Sequence, residues 1–237
     1  MNKILINGSG SSGNNLIIDS NGKKLLIDLG LDHKDILKSC DFKMDDFVAA
    51  LCSHSHLDHC KSLDKFLKFG VPCYANSDVC SKYPRCNALP KIMQLGGEFT
   101  IQHFELVHNV PNNAFIIDTS DGIRILYCTD TQYIPKIVKR VSYAIIECNN
   151  NFDTIVDNAM EGDMTMSNFK EHQNINDCIE YLKRIYNVDL QQVVLWHLSS
   201  TNINPNDAVK RVRKELGFEN VVYAQRGLEI ELVKSEF

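Results

Sequence analysis

The chain has 237 residues, 44% hydrophobic and 23% charged, with a net charge of −5. A chain of this size and balance buries a core without a disulfide or metal staple, so a bound metal would serve chemistry rather than folding. The acidic total excludes the broad basic face of a nonspecific nucleic-acid binder but leaves room for a local basic groove.

Nine cysteines, an odd number with no C-x-x-C pair, read as free thiols in a reducing cytoplasm, most of them buried as small hydrophobes. The amino-terminal stretch "MNKILINGSGSSGNN" lacks a cleavage pattern, which predicts no signal peptide. No apolar run reaches the roughly 18 residues of a membrane span.

In chain order, "KILIN" (3–7), "NLIID" (15–19) and "KKLLID" (23–28) read as strands bounded by Gly, Ser and Asn. The intervening "GSGSSGNN" lacks the lysine of a P-loop and leads into a strand, so it reads as a glycine-rich hairpin. "VAALCS" (48–53) suits a strand buried on both faces, and "KSLDKFLKFG" (61–70) a helix stopped by Gly70. Strands follow at "VPCYA" (71–75), 98–107, 113–118 and 123–128, the last two joined by an "SDG" turn. The densest basic run, "KIVKR" (136–140), reads as a solvated helix face.

"YAIIEC" (143–148) is expected as a strand and 152–161 as a helix. "INDCIEYLKRIY" (175–186) is an amphipathic helix, with Ile175, Cys178, Ile179, Leu182 and Ile185 on one face. "QVVLWHL" (192–198) is a strand, and "NPNDAVKRVRKELGF" (204–218) a helix with Pro205 near its start and Gly217 at its end. "NVVYA" and "LEIELV" close the chain as strands. With no repeat and no linker, residues 1–237 are expected to form one α/β domain, two sheets packed together with helices on the outer faces.

One stretch resists a structural explanation. "LCSHSHLDHCKS" (51–62) sets His54, His56, Asp58 and His59 together just after a buried strand. Such crowding costs desolvation and mutual repulsion unless a cation joins the groups. Imidazole and carboxylate together suit zinc, manganese or iron. Each metal takes three or four protein ligands, so these four residues can begin two sites but cannot complete both. Three more candidates stand where an apolar run gives way to a polar turn: His108 in "FELVHNVP", Asp130 in "ILYCTDT" and His197 in "VVLWHLSS".

H-x-H-x-D-H, a later His, an Asp after a strand and a final His after a strand resemble the metallo-β-lactamase superfamily over nearly the whole chain. The resemblance implies an αββα four-layer sandwich with two divalent metals at one edge of the sheets. Zinc is the first choice, with manganese or iron as alternatives. It implies His54, His56 and His108 on one metal, Asp58, His59 and His197 on the other, and Asp130 bridging. "GSGSSGNN", "YCTDT", "AIIECNNNFD", "HQNINDCIEYL" and "HLSSTNINP" narrow the resemblance to the YycJ/VicX subgroup, metallohydrolases related to the PhnP phosphodiesterase and to tRNase Z. Two positions depart from that subgroup. Asn109 stands where an Asp usually follows the third-motif His, and "HQN" (172–174) replaces the frequent "HLS".

Two metals about 3.5–4 Å apart can share a hydroxide, which then serves as nucleophile. Asp58 would both bind metal and orient that hydroxide. The resemblance to PhnP-type enzymes puts a general acid at His172, a residue type able to protonate a leaving alkoxide near neutral pH. Ser11, Ser12, Asn14, Ser199 and Ser200 are candidates to touch substrate. The expected activity is phosphodiester hydrolysis, on DNA or RNA ends or on a small diester. A thioester or lactone hydrolase of the glyoxalase II or lactonase kind shares the ligand set and is the alternative. A binding module that uses metal only for stability is a third reading, which the complete ligand set argues against.

Overall fold

Alternation of apolar residues along the strands drives the architecture. In the computed structural model, which describes residues 2–152 and 171–234, the described residues form two seven-stranded sheets. The first sheet runs in the order β14-β1-β2-β3-β4-β5-β6. Its strands are β1 (Lys3–Gly8), β2 (Asn15–Ser20), β3 (Lys23–Ile27), β4 (Phe47–Cys52), β5 (Cys73–Ala75), β6 (Asn87–Ala88) and β14 (Glu229–Glu231). The second runs β13-β12-β11-β10-β9-β8-β7. It comprises β7 (Ile92–Leu95), β8 (Phe99–Leu106), β9 (Asn112–Thr119), β10 (Arg124–Cys128), β11 (Tyr143–Glu147), β12 (Gln192–Trp196) and β13 (Val221–Tyr223).

Each sheet is antiparallel in one half and parallel in the other. β14, β1, β2 and β3 pair antiparallel and β3 through β6 parallel. β7 through β10 pair antiparallel and β10 through β13 parallel. Every parallel step needs a long return connection, and those connections carry the helices.

The period of two sends successive side chains to opposite faces. On β10, Ile125 and Tyr127 join Ile18, Leu25, Ile27 and Leu51 of the other sheet in the central core. Leu126 and Cys128 point the other way, against α5 (Ile175–Ile185) and α6 (Pro205–Leu216). The outer face of the first sheet, with Leu26, Ala50 and Cys73, is covered by Ile36, Leu63, Phe66 and Val79. Those residues come from α1 (His33–Lys38), α3 (Leu63–Lys68) and α4 (Ser77–Lys82). The layers are therefore helix, sheet, sheet, helix, the expected αββα sandwich. Burying one large aliphatic side chain contributes about 1.5–3 kcal/mol. Ile175, Ile179, Leu182 and Ile185 thus hold α5 in place more firmly than helix propensity does.

Helix ends follow local chemistry. The Asn174 side chain accepts from the amides of Asn176 and Asp177 and starts α5. Asn204 does the same for α6, which has Pro205 in its first turn and ends at Gly217 with φ 59°.

"KIVKR" is not helical. Pro135 stands just before the run, Ile134 and Val138 are buried against the second sheet, and Lys136 lies 5.4 Å from the Phe104 ring centre. Those anchors lay the segment flat as an irregular crossing from β10 to β11. The helix expected at 152–161 falls, from 153 onward, outside the described residues. All nine cysteines are free. No helix among the described residues is long and apolar enough to cross a membrane.

Candidate metal centre

In parallel sheets the carboxyl ends of the strands converge on the crevice where ligands bind. Here β3 and β4 of one sheet and β10, β11 and β12 of the other end at the same edge. Asp28, Asp130 and His197, each directly or closely after such a strand, adopt left-handed backbone with φ 55°, 50° and 51°. That conformation is costly for a residue with a side chain and concentrates at functional sites. After β4, the chain turns through His54 into the one-turn helix α2 (Leu57–Cys60), which puts Asp58 and His59 beside the other strand ends.

All seven candidates from the 54–59 motif and the later strand ends meet there. His56 Nδ1 lies 3.1 Å from His54 Nε2 and 3.3 Å from His108 Nε2. Asp130 Oδ2 faces this group, 3.8 Å from His54 Nε2 and 4.0 Å from His108 Nε2. On the other side, Asp58 Oδ2 lies 3.4 Å from His59 Nε2 and 3.5 Å from His197 Nε2. Asp130 Oδ1 faces this second group, at 3.4 Å from His59 Nε2 and 3.6 Å from His197 Nε2. One carboxylate thus turns one oxygen to each triad.

The residues present fit a pair of divalent cations. Each triad with Asp130 brings ligand atoms within 4.8 Å of one another. The donors are imidazole nitrogen and carboxylate oxygen, a set for zinc, manganese or iron. His197 Nε2 is buried without a hydrogen-bond partner among the described residues, as a lone pair reserved for a metal would be.

Sequence reasoning missed two buried acids behind the ligands. Asp28 accepts from Ser53 N, Ser53 Oγ and the Tyr127 hydroxyl, and lies 2.7 Å from His59 Nδ1. A carboxylate on the far nitrogen of a ligand imidazole fixes the ring and its tautomer, leaving Nε2 to the metal. Glu147 accepts from the Thr131 amide at 2.7 Å and lies 2.6 Å from His172 Nδ1 and 3.4 Å from His197 Nδ1. The signal for both was a single acid closing an apolar strand, "KKLLID" and "YAIIEC", where burial needs partners.

His172 sits at the same centre, its ring stacked on His197 at 5.2 Å and 5.7 Å from the His108 ring. Asn109 donates to Glu171 at 2.7 Å. The departure from Asp to Asn is consistent with that contact, since an Asp there would set two carboxylates against each other. Ser11, Ser12 and Ser200 are exposed on turns, and Asn14 is fully buried.

The protonation pattern separates the two halves. Burial, aided by His59, holds His54 well below the ordinary histidine range, and burial lowers His108 too. Burial also opposes charge on His59 and His197, but the acids around them win. Asp130 and Asp28 raise His59, and Asp130, Asp58 and Glu147 push His197 up to about 10. Burial disfavours the charged forms of Asp58 and Asp130, yet His197 and His59 hold both well below the carboxylate range. Without a cation, the second half balances its acids with protons. A divalent cation would displace them.

Comparison with known proteins agrees with the fold. Residues 3–72 match the family described as Anti-Pycsar protein Apyc1. Exodeoxyribonuclease WalJ of Streptococcus pneumoniae serotype 2 is 27% identical over 222 residues, covering 84% of this chain and 82% of that protein. Exodeoxyribonuclease YycJ of Bacillus anthracis is 26% identical over 165 residues, 62% of each chain. The crystal structure of the metallo-β-lactamase fold protein YhfI from Bacillus subtilis superposes with a TM-score of 0.78 at 18% identity, over 97% of this chain and 98% of that one. The chain has the metallo-β-lactamase fold and is similar in sequence to the exodeoxyribonucleases WalJ and YycJ.

Proposed function

We propose that the protein is a dinuclear-metal-dependent phosphodiesterase that cleaves nucleic-acid strands, DNA first among them. The observation that carries this reading is Asp130, whose two oxygens face two separate triads. The relatives named exodeoxyribonucleases support the choice of substrate.

In this reading His54, His56 and His108 would hold one cation and Asp58, His59 and His197 the other, Asp130 would serve both, and zinc would be the metal. A pair of cations held there would supply a Lewis acid for a phosphoryl oxygen and would lower the pKa of water to about 7. Asp28 and Glu147 keep the His59 and His197 rings in place. Asp58, with part of its carboxylate exposed, orients the attacking water. The His172 Nδ1 is tied to Glu147, which leaves Nε2 to give its proton to the departing oxygen. Burial opposes charge on His172, but Glu147 outweighs it and raises the ring above its ordinary value, which favours the proton-carrying form.

The test is hydrolysis of end-labelled single-stranded DNA, bis(p-nitrophenyl) phosphate and an acyl thioester by metal-loaded protein. Cleavage of the two diesters, lost in Asp130→Ala, is expected. Thioester cleavage without diester cleavage would overturn the proposal in favour of the glyoxalase-like alternative.

A further inference from the structure

We infer that Asn14 is a positioning residue for the Asp58–His59–His197 half of the centre, so that occupancy of that half depends on the turn from Gly8 to Asn14. The inference rests on the dinuclear reading above.

Asn14 is a polar side chain with no exposure at all, on a turn rather than a strand. Its Oδ1 accepts the Gly10 amide at 2.8 Å, which fixes which end of the amide faces the centre. The Nδ2 has two hydrogens. One goes to Gly10 O at 3.0 Å. The other lies among His59 Nε2 at 2.9 Å, Asp58 O at 3.3 Å and Asp58 Oδ2 at 3.4 Å.

A proton or a cation on His59 Nε2 takes up its lone pair and leaves the Asp58 oxygens as the acceptors. The second hydrogen then falls to Asp58. An N–H held against one carboxylate fixes which lone pairs remain for the metal, the usual way an outer hydrogen bond tunes a ligand. The turn is braced against this half through the backbone as well. Asn14 N donates to Asp58 O at 2.7 Å, and His197 N donates to Ser9 Oγ at 2.8 Å. Among the described residues, no hydrogen bond from the turn reaches His54, His56 or His108. Gly13 keeps the turn tight: at φ 138°, a Cβ there would lie 2.7 Å from Gly30 O.

The experiment is a stepwise cobalt(II) titration of metal-free protein, followed by d–d absorption, for the wild type, Asp58→Ala and Asn14→Ala. The wild type is expected to take up two equivalents. Asp58→Ala identifies the step that belongs to the second half. Asn14→Ala is expected to weaken that same step 10–100-fold and to leave the other unchanged. Two wild-type steps in Asn14→Ala, or equal weakening of both, would overturn the inference. If melting shows that the alanine variant does not fold, Asn14→Ser replaces it with the same expectation. Its hydroxyl keeps a polar group in the turn but is too short to reach Asp58. A wild type that takes up fewer than two equivalents would contradict the dinuclear reading instead.

Discussion

Glu147 is the single charged residue of β11, fully buried, and its carboxylate joins His172 to His197. That places His172 where a proton donor is needed only when the departing oxygen is a poor leaving group. His172→Ala should therefore lower kcat by about 10²–10⁴ on DNA and change little on bis(p-nitrophenyl) phosphate, with metal content intact. Equal losses on both substrates, measured side by side, would remove the acid role. At this scale the ligand candidates were legible because each marks a visible break from apolar strand to polar turn. Asp28 and Glu147 were not, and Asn14 was legible only as a candidate substrate contact, because their places beside the ligands are purely spatial. Asp28 meets His59 from 31 positions away and Asn14 meets it from 45.

Close approach of two turns fixes where α2 sits. Gly30 packs against Asp58 so tightly that a Cβ would come within 1.6 Å of Asp58 O. The contact is with backbone, so no rotamer change relieves it. Gly30→Ala should cost more than the roughly 1–3 kcal/mol of ordinary overpacking, seen as a lower Tm, and should reduce metal content. A variant with wild-type Tm and metal would show that α2 moves freely. The longer elements, α5 and α6, were readable from periodicity and caps. The six-residue α1 and α4 were not, being too short to show a helical period. The misread basic run shows why charge patterning alone is weak: two buried apolar residues and a proline decide that segment.

Over the whole molecule, the two sheets bring their parallel halves to one edge, and stability there is linked to charge. His197, raised from 6.5 to about 10, favours the metal-free fold fully below about pH 6.5, and that contribution is lost as pH climbs through 10. Asp58 and Asp130, both lowered, contribute above about pH 4 and lose their effect in acid. The Tm of metal-free protein should therefore fall between pH 6.5 and 10, while metal-loaded protein, whose imidazoles hold cations instead of protons, should change less. Equal alkaline slopes would argue against the charge balance described here. The order of strands and helices made two packed sheets with outer helices readable in advance, and the metal edge was what the resemblance of the histidine motif implied. The metal's identity and the path of a strand across the edge depend on shape, which no motif encodes. The decisive measurement is diester turnover by metal-free protein as zinc is added in known equivalents. Turnover should rise steeply with the second equivalent and then level off. Full activity at one equivalent, or none with two bound, would contradict a reaction run by a shared pair of cations on Asp130.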